Sequence, residues 1–133
     1  MTLSIYTDGG SKGNPGPASI GIVAKLDKKI IFTHSESIGT ATNNVAEYTA
    51  VITAYSLLLS KYNSLKISNI VLYSDSKLLV NQLLGTFKIK TPHIRELIEQ
   101  VKILEMKLVI PITYMWIPRE KNHHADSLVN EVV

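Results

Sequence analysis

Residues 3–17 read LSIYTDGGSKGNPGP. Leu3 to Thr7 alternate apolar and polar side chains, as a strand with one face in a core does. Asp8 closes that strand, and the glycine- and proline-rich stretch Gly9–Pro17 reads as a loop. Two more strand-like runs follow, Ala18–Leu26 and Lys29–Ser35, separated by the polar pair Asp27–Lys28. They predict a hairpin, so the chain opens with three antiparallel strands.

Downstream the period changes. The polar segment Thr40–Asn44 predicts a helix start, and Val45, Tyr48, Ile52, Tyr55 and Leu59 then share one helical face. Ala46, Ala50, Leu57 and Leu58 make the rest of that helix apolar as well, which predicts burial on more than one side. Ile70–Tyr73 is a short apolar strand that stops at Ser74–Asp75–Ser76. A helix over Lys77–Leu84, ended near Gly85, comes next. Thr91–Pro92 is an N-cap with proline at the first helical position. The helix it starts has an apolar stripe, Ile94, Leu97, Ile98, Val101 and Leu104, with Glu96, Glu99, Lys102 and Glu105 facing water. Ile110–Ile117 is a fifth strand, Tyr114 and Trp116 reading as packing residues on it, and a last helix runs from Asn122. The order βββαβααβα implies an α/β fold, a five-stranded mixed sheet flanked by helices.

The chain has 133 residues, which fits a single domain over 1–133. Hydrophobic residues make up 45% and charged residues 19%, a globular composition. The net charge of +3, with a pI near 9.1, leans mildly toward anionic partners. Without cysteine, disulfides and thiolate metal sites are excluded. No apolar run approaches the ~18–20 residues that span a bilayer, and the N-terminus has no signal-peptide pattern. A cytoplasmic, membrane-free setting is the expectation. The run Gly9–Gly16 lacks the G-K-[ST] ending of a Walker A loop.

Four acids stand out by position: Asp8 and Asp75 at strand ends, Glu47 in the first turn of the main helix, and Asp126 in the last helix. Open α/β sheets place their sites at such an edge. Carboxylates brought close there resist joint ionisation, and hard divalent cations with oxygen ligands resolve the conflict. Each acid also has a bland reading. Glu47 could complete a capping box with Asn44, Asp75 could cap the following helix, Asp8 could be a turn aspartate, and Asp126 could be solvated. Spacing alone leaves these open. His123 with Asp126 is too sparse a set for a zinc site, and His34 and His93 read as surface residues.

Thr7–Asp8–Gly9–Gly10–Ser11 with Gly13–Asn14–Pro15–Gly16 resembles the first signature of the type 1 ribonucleases H. Thr42–Asn43–Asn44–Val45–Ala46–Glu47–Tyr48 resembles the second and Ser74–Asp75–Ser76 the third. Trp116–Ile117–Pro118–Arg119–Glu120–Lys121–Asn122 with Ala125–Asp126 resembles the fourth, in its compact archaeal and bacterial form. The motifs are in family order and span nearly the whole chain. The resemblance implies the ribonuclease H fold and a catalytic, metal-binding tetrad of Asp8, Glu47, Asp75 and Asp126. It implies two Mg²⁺ ions, with Mn²⁺ as a substitute. It also implies hydrolysis of the RNA strand of an RNA–DNA hybrid, leaving 5′-phosphate and 3′-hydroxyl ends. Asn14, Asn43 and Asn44 match positions that read the RNA strand, and Thr42 one near a DNA phosphate. Amides suit a 2′-hydroxyl because they donate and accept.

Departures from the pattern bear on substrate. Lys77 stands where many members carry glutamine, and lysine donates but cannot accept. Only Phe87–Lys88–Ile89–Lys90 occupies the place of the basic protrusion of longer members. Arg119 lies in the stretch where longer members carry a mobile histidine, a role not transferred to His123 or His124. Lys12, Lys77, Lys88, Lys90, Arg119 and Lys121 together suggest a phosphate-tracking face, with a solvated surface as the equal alternative. Double-stranded RNA stays open as a second substrate, and a monomer is expected. The rivals are a DNA-processing nuclease of the same superfamily, a non-catalytic hybrid- or RNA-binding module, and a domain cut from a reverse transcriptase. Exonucleases among the first are disfavoured because Gly9–Gly10, rather than x-Glu, follows Asp8, and the second is disfavoured because all four acids are present. Met1, two residues before the first strand, is the start expected of a freestanding protein.

Overall fold

The alternation that begins at Leu3 builds the middle of a sheet. The computed structural model describes residues 1–85 and 91–132. Its strands are β1 (Thr2–Ser11), β2 (Gly16–Leu26), β3 (Lys29–Ala41), β4 (Asn69–Ser74) and β5 (Ile112–Trp116). Its helices are α1 (Asn43–Lys61), α2 (Lys77–Leu84), α3 (Pro92–Leu108) and α4 (His123–Val132), with a 3-10 turn at Arg119–Lys121. The sheet order is β3-β2-β1-β4-β5. β1 and β3 run antiparallel to β2, whereas β4 is parallel to β1 and β5 to β4. The mixed sheet and the element order agree with the sequence reading.

Antiparallel pairing puts Gly9 and Ile20 on one face and Asp8 and Gly21 on the other. α1 covers the first face, over a core that includes Leu3, Ile5, Ile20, Ile22, Ile70 and Leu72, all with no exposed surface. α4 covers part of the second face, where Ser19 Oγ donates to the Val129 carbonyl at 2.7 Å. α1 turns a row of small residues inward, Ala46, Ala50 and Ala54, with Val51 and Leu58 beside them. Val45, Ile52 and Leu59, on the face expected to be buried, are only half-buried. The alanines let the helix axis lie close to the sheet. At Gly9 the approach is limiting, because a β-carbon there would collide with the Ala46 carbonyl and the Glu47 amide.

Several expected boundaries move. β1 runs three residues past Asp8, since Gly9, Gly10 and Ser11 pair with Ile20, Ser19 and Ala18. The loop shrinks to residues 12–15, and Asp8 sits inside a strand. β3 continues six residues beyond Ser35, held by pairing to β2 through an irregularity at Ala18/Ser19. β5 is shorter than Ile110–Ile117 at both ends. Glu105 does not face open water: its Oε2 accepts from the buried Tyr114 hydroxyl at 3.0 Å, and Lys102 lies 3.3 Å away. No helix among the described residues is long and apolar enough to cross a membrane.

The close packing at Gly9 has a direct consequence. Gly9→Ala is expected to cost about 1–3 kcal/mol through overpacking. Gly10→Ala, whose β-carbon would meet its nearest neighbour at an ordinary 3.6 Å, should cost clearly less. Urea unfolding of the two variants beside the parent checks this ordering, and equal losses would contradict it.

Candidate functional site

β1 and β4 lie side by side and parallel, so Asp8 and Asp75 emerge at the same end of neighbouring strands. Asp75 follows the last residue of β4, where the chain bends into α2. Its bland reading fails, because the cap of α2 is Ser76, whose side chain accepts from Leu79 N at 3.2 Å. The same holds for Glu47. α1 is capped by Thr42, whose hydroxyl accepts from Val45 N at 3.2 Å, so there is no capping box with Asn44. Glu47 is the fifth residue of α1, in its second turn rather than its first, and the close approach at Gly9 sets it against Asp8.

Asp8, Glu47 and Asp75 each offer an oxygen, and these oxygens all lie within 4.8 Å of one another. Asp8 is buried, and Glu47 Oε2 is a buried oxygen with no hydrogen-bond donor. Among the described residues, no lysine or arginine forms an ion pair with any of the three. Asp126 lies outside that group. It lines the same open cleft of about 510 Å³, with its Oδ1 3.3 Å from Arg119 Nη2. Ser11, Lys12 and Asn43 line the cleft too.

Burial, with Asp75 and Asp126 nearby, pushes the Asp8 carboxyl up to about 7. Burial next to Asp8 and Asp75 likewise holds Glu47 well above the ordinary range, with the Gly9 amide acting the other way. Asp75 is raised by burial, against the opposing pull of Asn122 and Arg119. Such a set is poorly served by protons alone near neutral pH. Clustered oxygens, one of them without a donor and none ion-paired, suit a hard divalent cation. The donor set contains no histidine, so the pairing of His123 with Asp126 has no place in it.

The remaining expected contacts divide. Asn14 and Asn43 come together at the loop after β1, where Asn43 N donates to Asn14 Oδ1 at 3.0 Å and Ser11 N to Asn43 Oδ1 at 2.9 Å. Both side-chain carbonyls are thus committed to the backbone, which leaves the amide N–H groups as donors. Thr42 is occupied as a cap, and Asn44 is half-buried beside it. Lys77 is absent from the cleft lining; its ammonium sits 4.5 Å from the centre of the Trp116 ring. Arg119 lines the cleft, whereas Lys88 and Lys90 lie outside the described residues.

Two contributors carried no functional role in the sequence reading. Asn122 is 1% exposed, and its Nδ2 donates to the Thr7 carbonyl at 2.9 Å while its amide also faces Asp75. It ties the two acid-bearing strands to the start of α4. Its place four residues before Asp126, at the head of a helix, was the available signal. Trp116 is 42% exposed instead of packed, unlike the buried Tyr114 two residues earlier.

The raised carboxyls tie stability to pH. The folded chain holds these protons more tightly than the unfolded chain, where Asp8 has its ordinary value of 3.8. Their contribution is therefore fully present below about pH 4 and is lost as pH rises through the folded value, about 7 for Asp8. In metal-free buffer the Tm should fall across that window. Asp8→Asn should raise Tm at pH 7.5 by roughly 3–10 °C, for one or two kcal/mol of relieved repulsion. Millimolar Mg²⁺ should remove most of the difference. A lower Tm for Asp8→Asn in EDTA would contradict a cluster of repelling carboxylates.

Comparison with known proteins agrees with this geometry. The model of the family described as reverse transcriptase-like matches residues 6–132. Ribonuclease HI of Halobacterium salinarum is 36% identical over 132 residues, covering 96% of this chain and 62% of that protein. A bifunctional protein of Mycobacterium tuberculosis is 38% identical over 135 residues, covering all of this chain but 36% of its own length. The chain thus spans less than two thirds of either relative. The structure of LC11-RNase H1 in complex with an RNA/DNA hybrid superposes with a TM-score of 0.89 at 40% identity. That match covers 97% of this chain and 94% of the other. On these matches, the chain belongs to the reverse transcriptase-like family and, within it, to the type 1 ribonucleases H.

Proposed function

We propose that this chain is a ribonuclease H, a metal-dependent endonuclease that cuts the RNA strand of an RNA–DNA hybrid. The observation that carries the reading is the convergence of Asp8, Glu47 and Asp75 within ligand distance of one another, in a cleft that also holds Asp126. Membership among the type 1 ribonucleases H supports it, as does the likeness to a relative solved with a hybrid. In this reading residues 1–133 act as one ribonuclease H domain, a cytoplasmic monomer. Double-stranded RNA is a second candidate substrate.

Asp8, Glu47, Asp75 and Asp126 would hold two Mg²⁺ ions, with Mn²⁺ able to replace them. Bound divalent ions supply Lewis-acid stabilisation of phosphoryl oxygens and lower the pKa of a bound water. The chain's own part is placement. β1 and β4 fix Asp8 and Asp75, α1 brings Glu47 to them, and Arg119 steadies Asp126. Water attacks phosphorus and the bond to the 3′ oxygen breaks, which leaves 3′-hydroxyl and 5′-phosphate ends. Asn14 and Asn43 present donors to the RNA strand, with Asn44 next to them, while Thr42 faces the DNA side. Lys77, Arg119, Lys88 and Lys90 contact phosphates. Only donors are offered at Asn14 and Asn43, so the 2′-hydroxyl is read there as an acceptor.

The test is cleavage of a labelled RNA–DNA hybrid beside double-stranded RNA and DNA, in Mg²⁺, Mn²⁺ or EDTA. Metal-dependent cutting of the hybrid's RNA strand is expected, with Asp75→Asn lowering the rate about 10²–10³-fold, the usual loss when one preorganised electrostatic group is removed. Binding of the hybrid without cutting in either metal would leave a non-catalytic module.

A further inference from the structure

Trp116 is the chain's single tryptophan, and its position is not explained by packing: 42% of it is exposed at the last residue of β5. Two of its contacts are specific. The indole N–H donates to the Asp75 carbonyl at 3.1 Å, at the point where β4 has ended and that carbonyl has left the sheet ladder. The ring carries the Lys77 ammonium 4.5 Å from its centre. Ser74 pairs with Trp116, and Ile117 N donates to the Ser74 carbonyl at 3.0 Å, so the ring is anchored from a rigid strand.

Lys77 is an odd residue for its place. It is the first residue of α2, where the helix dipole favours negative charge, and the first turn holds no acid to balance it. The aromatic face offsets that cost by attracting the ammonium, and so fixes the charge one residue past Ser76, which lines the cleft. A cation held at an unfavourable helix end, beside the proposed substrate cleft, is placed to meet a strand phosphate.

We propose that Trp116 is a positioning residue that joins the substrate grip of Lys77 to the aim of Asp75. One face of the indole sets where a strand phosphate is held, and the indole N–H sets the backbone that carries the carboxylate. This rests on the ribonuclease H reading for its substrate, but its contacts to Asp75 and Lys77 do not.

Two measurements separate the parts. In hybrid cleavage, Trp116→Phe keeps a ring under Lys77 but removes the N–H, and should lower kcat about 5- to 10-fold with KM within about twofold. Lys77→Gln should raise KM about fivefold and flatten the salt dependence of hybrid binding by about one unit of log K per log salt. Placed on Trp116→Leu, it should change KM less than twofold, because the ammonium is no longer held. The second measurement needs no cleavage. Mn²⁺ titration followed by broadening of the single indole N–H resonance gives Mn²⁺ affinity, which Trp116→Phe, followed by calorimetry, should weaken several-fold.

Unchanged kcat and Mn²⁺ affinity in Trp116→Phe would overturn the positioning role. An equal effect of Lys77→Gln with and without Trp116 would overturn the coupling. If the parent binds Mn²⁺ but cuts no hybrid in either metal, the nuclease reading fails by itself. The proposal then stands or falls on Mn²⁺ affinity alone.

Discussion

At Gly9 the first strand and the first helix come so close that no β-carbon fits between them, and the rest of the site depends on that contact. It brings Glu47 against Asp8 and fixes the height of α1 over the sheet. The parallel pairing of β1 with β4 then adds Asp75, and α4 crosses the opposite face to bring Asp126 into the same cleft. Backbone packing makes the geometry, and the side chains inherit it.

That geometry opposes its own charges. Three clustered carboxylates, Asp8 buried and Glu47 with a buried oxygen, none ion-paired among the described residues, are a standing cost to the folded chain near neutral pH. Buried side-chain hydrogen bonds elsewhere hold the frame against it. Tyr48 donates to Gln82 at 2.6 Å across α1 and α2, and Tyr55 to Tyr114 at 2.9 Å across α1 and β5. Asn122 ties β1 to the head of α4. A frame that keeps repelling groups in place before any ligand arrives is a preorganised electrostatic site.

The order of elements was legible because each long segment keeps one period, two for the strands and near 3.6 for the helices. Their extents were not. Gly9–Ser11 and the end of β3 look like loop by composition, yet ladder bonds to β2 override that preference. The acids were legible as candidates from their places at strand ends and helix starts. Whether they met was not, since Asn44 and Asp75 were equally good caps on paper. The structure gives the caps to Thr42 and Ser76, which frees Glu47 and Asp75. Trp116 was misread because alternation along β5 predicts a buried side chain only where another layer covers that face. Tyr114 is buried there and Trp116 is exposed.

The central claim is that Asp8, Glu47 and Asp75 form a site for a divalent cation, which displaces the protons that their raised carboxyls take up. Calorimetric titration of the chain with Mn²⁺ at pH 7, repeated in two buffers of different ionisation enthalpy, measures that displacement directly. The account predicts binding with measurable proton release, reduced in Glu47→Gln and in Asp8→Asn. Binding without proton release, or release unchanged in both variants, would contradict it.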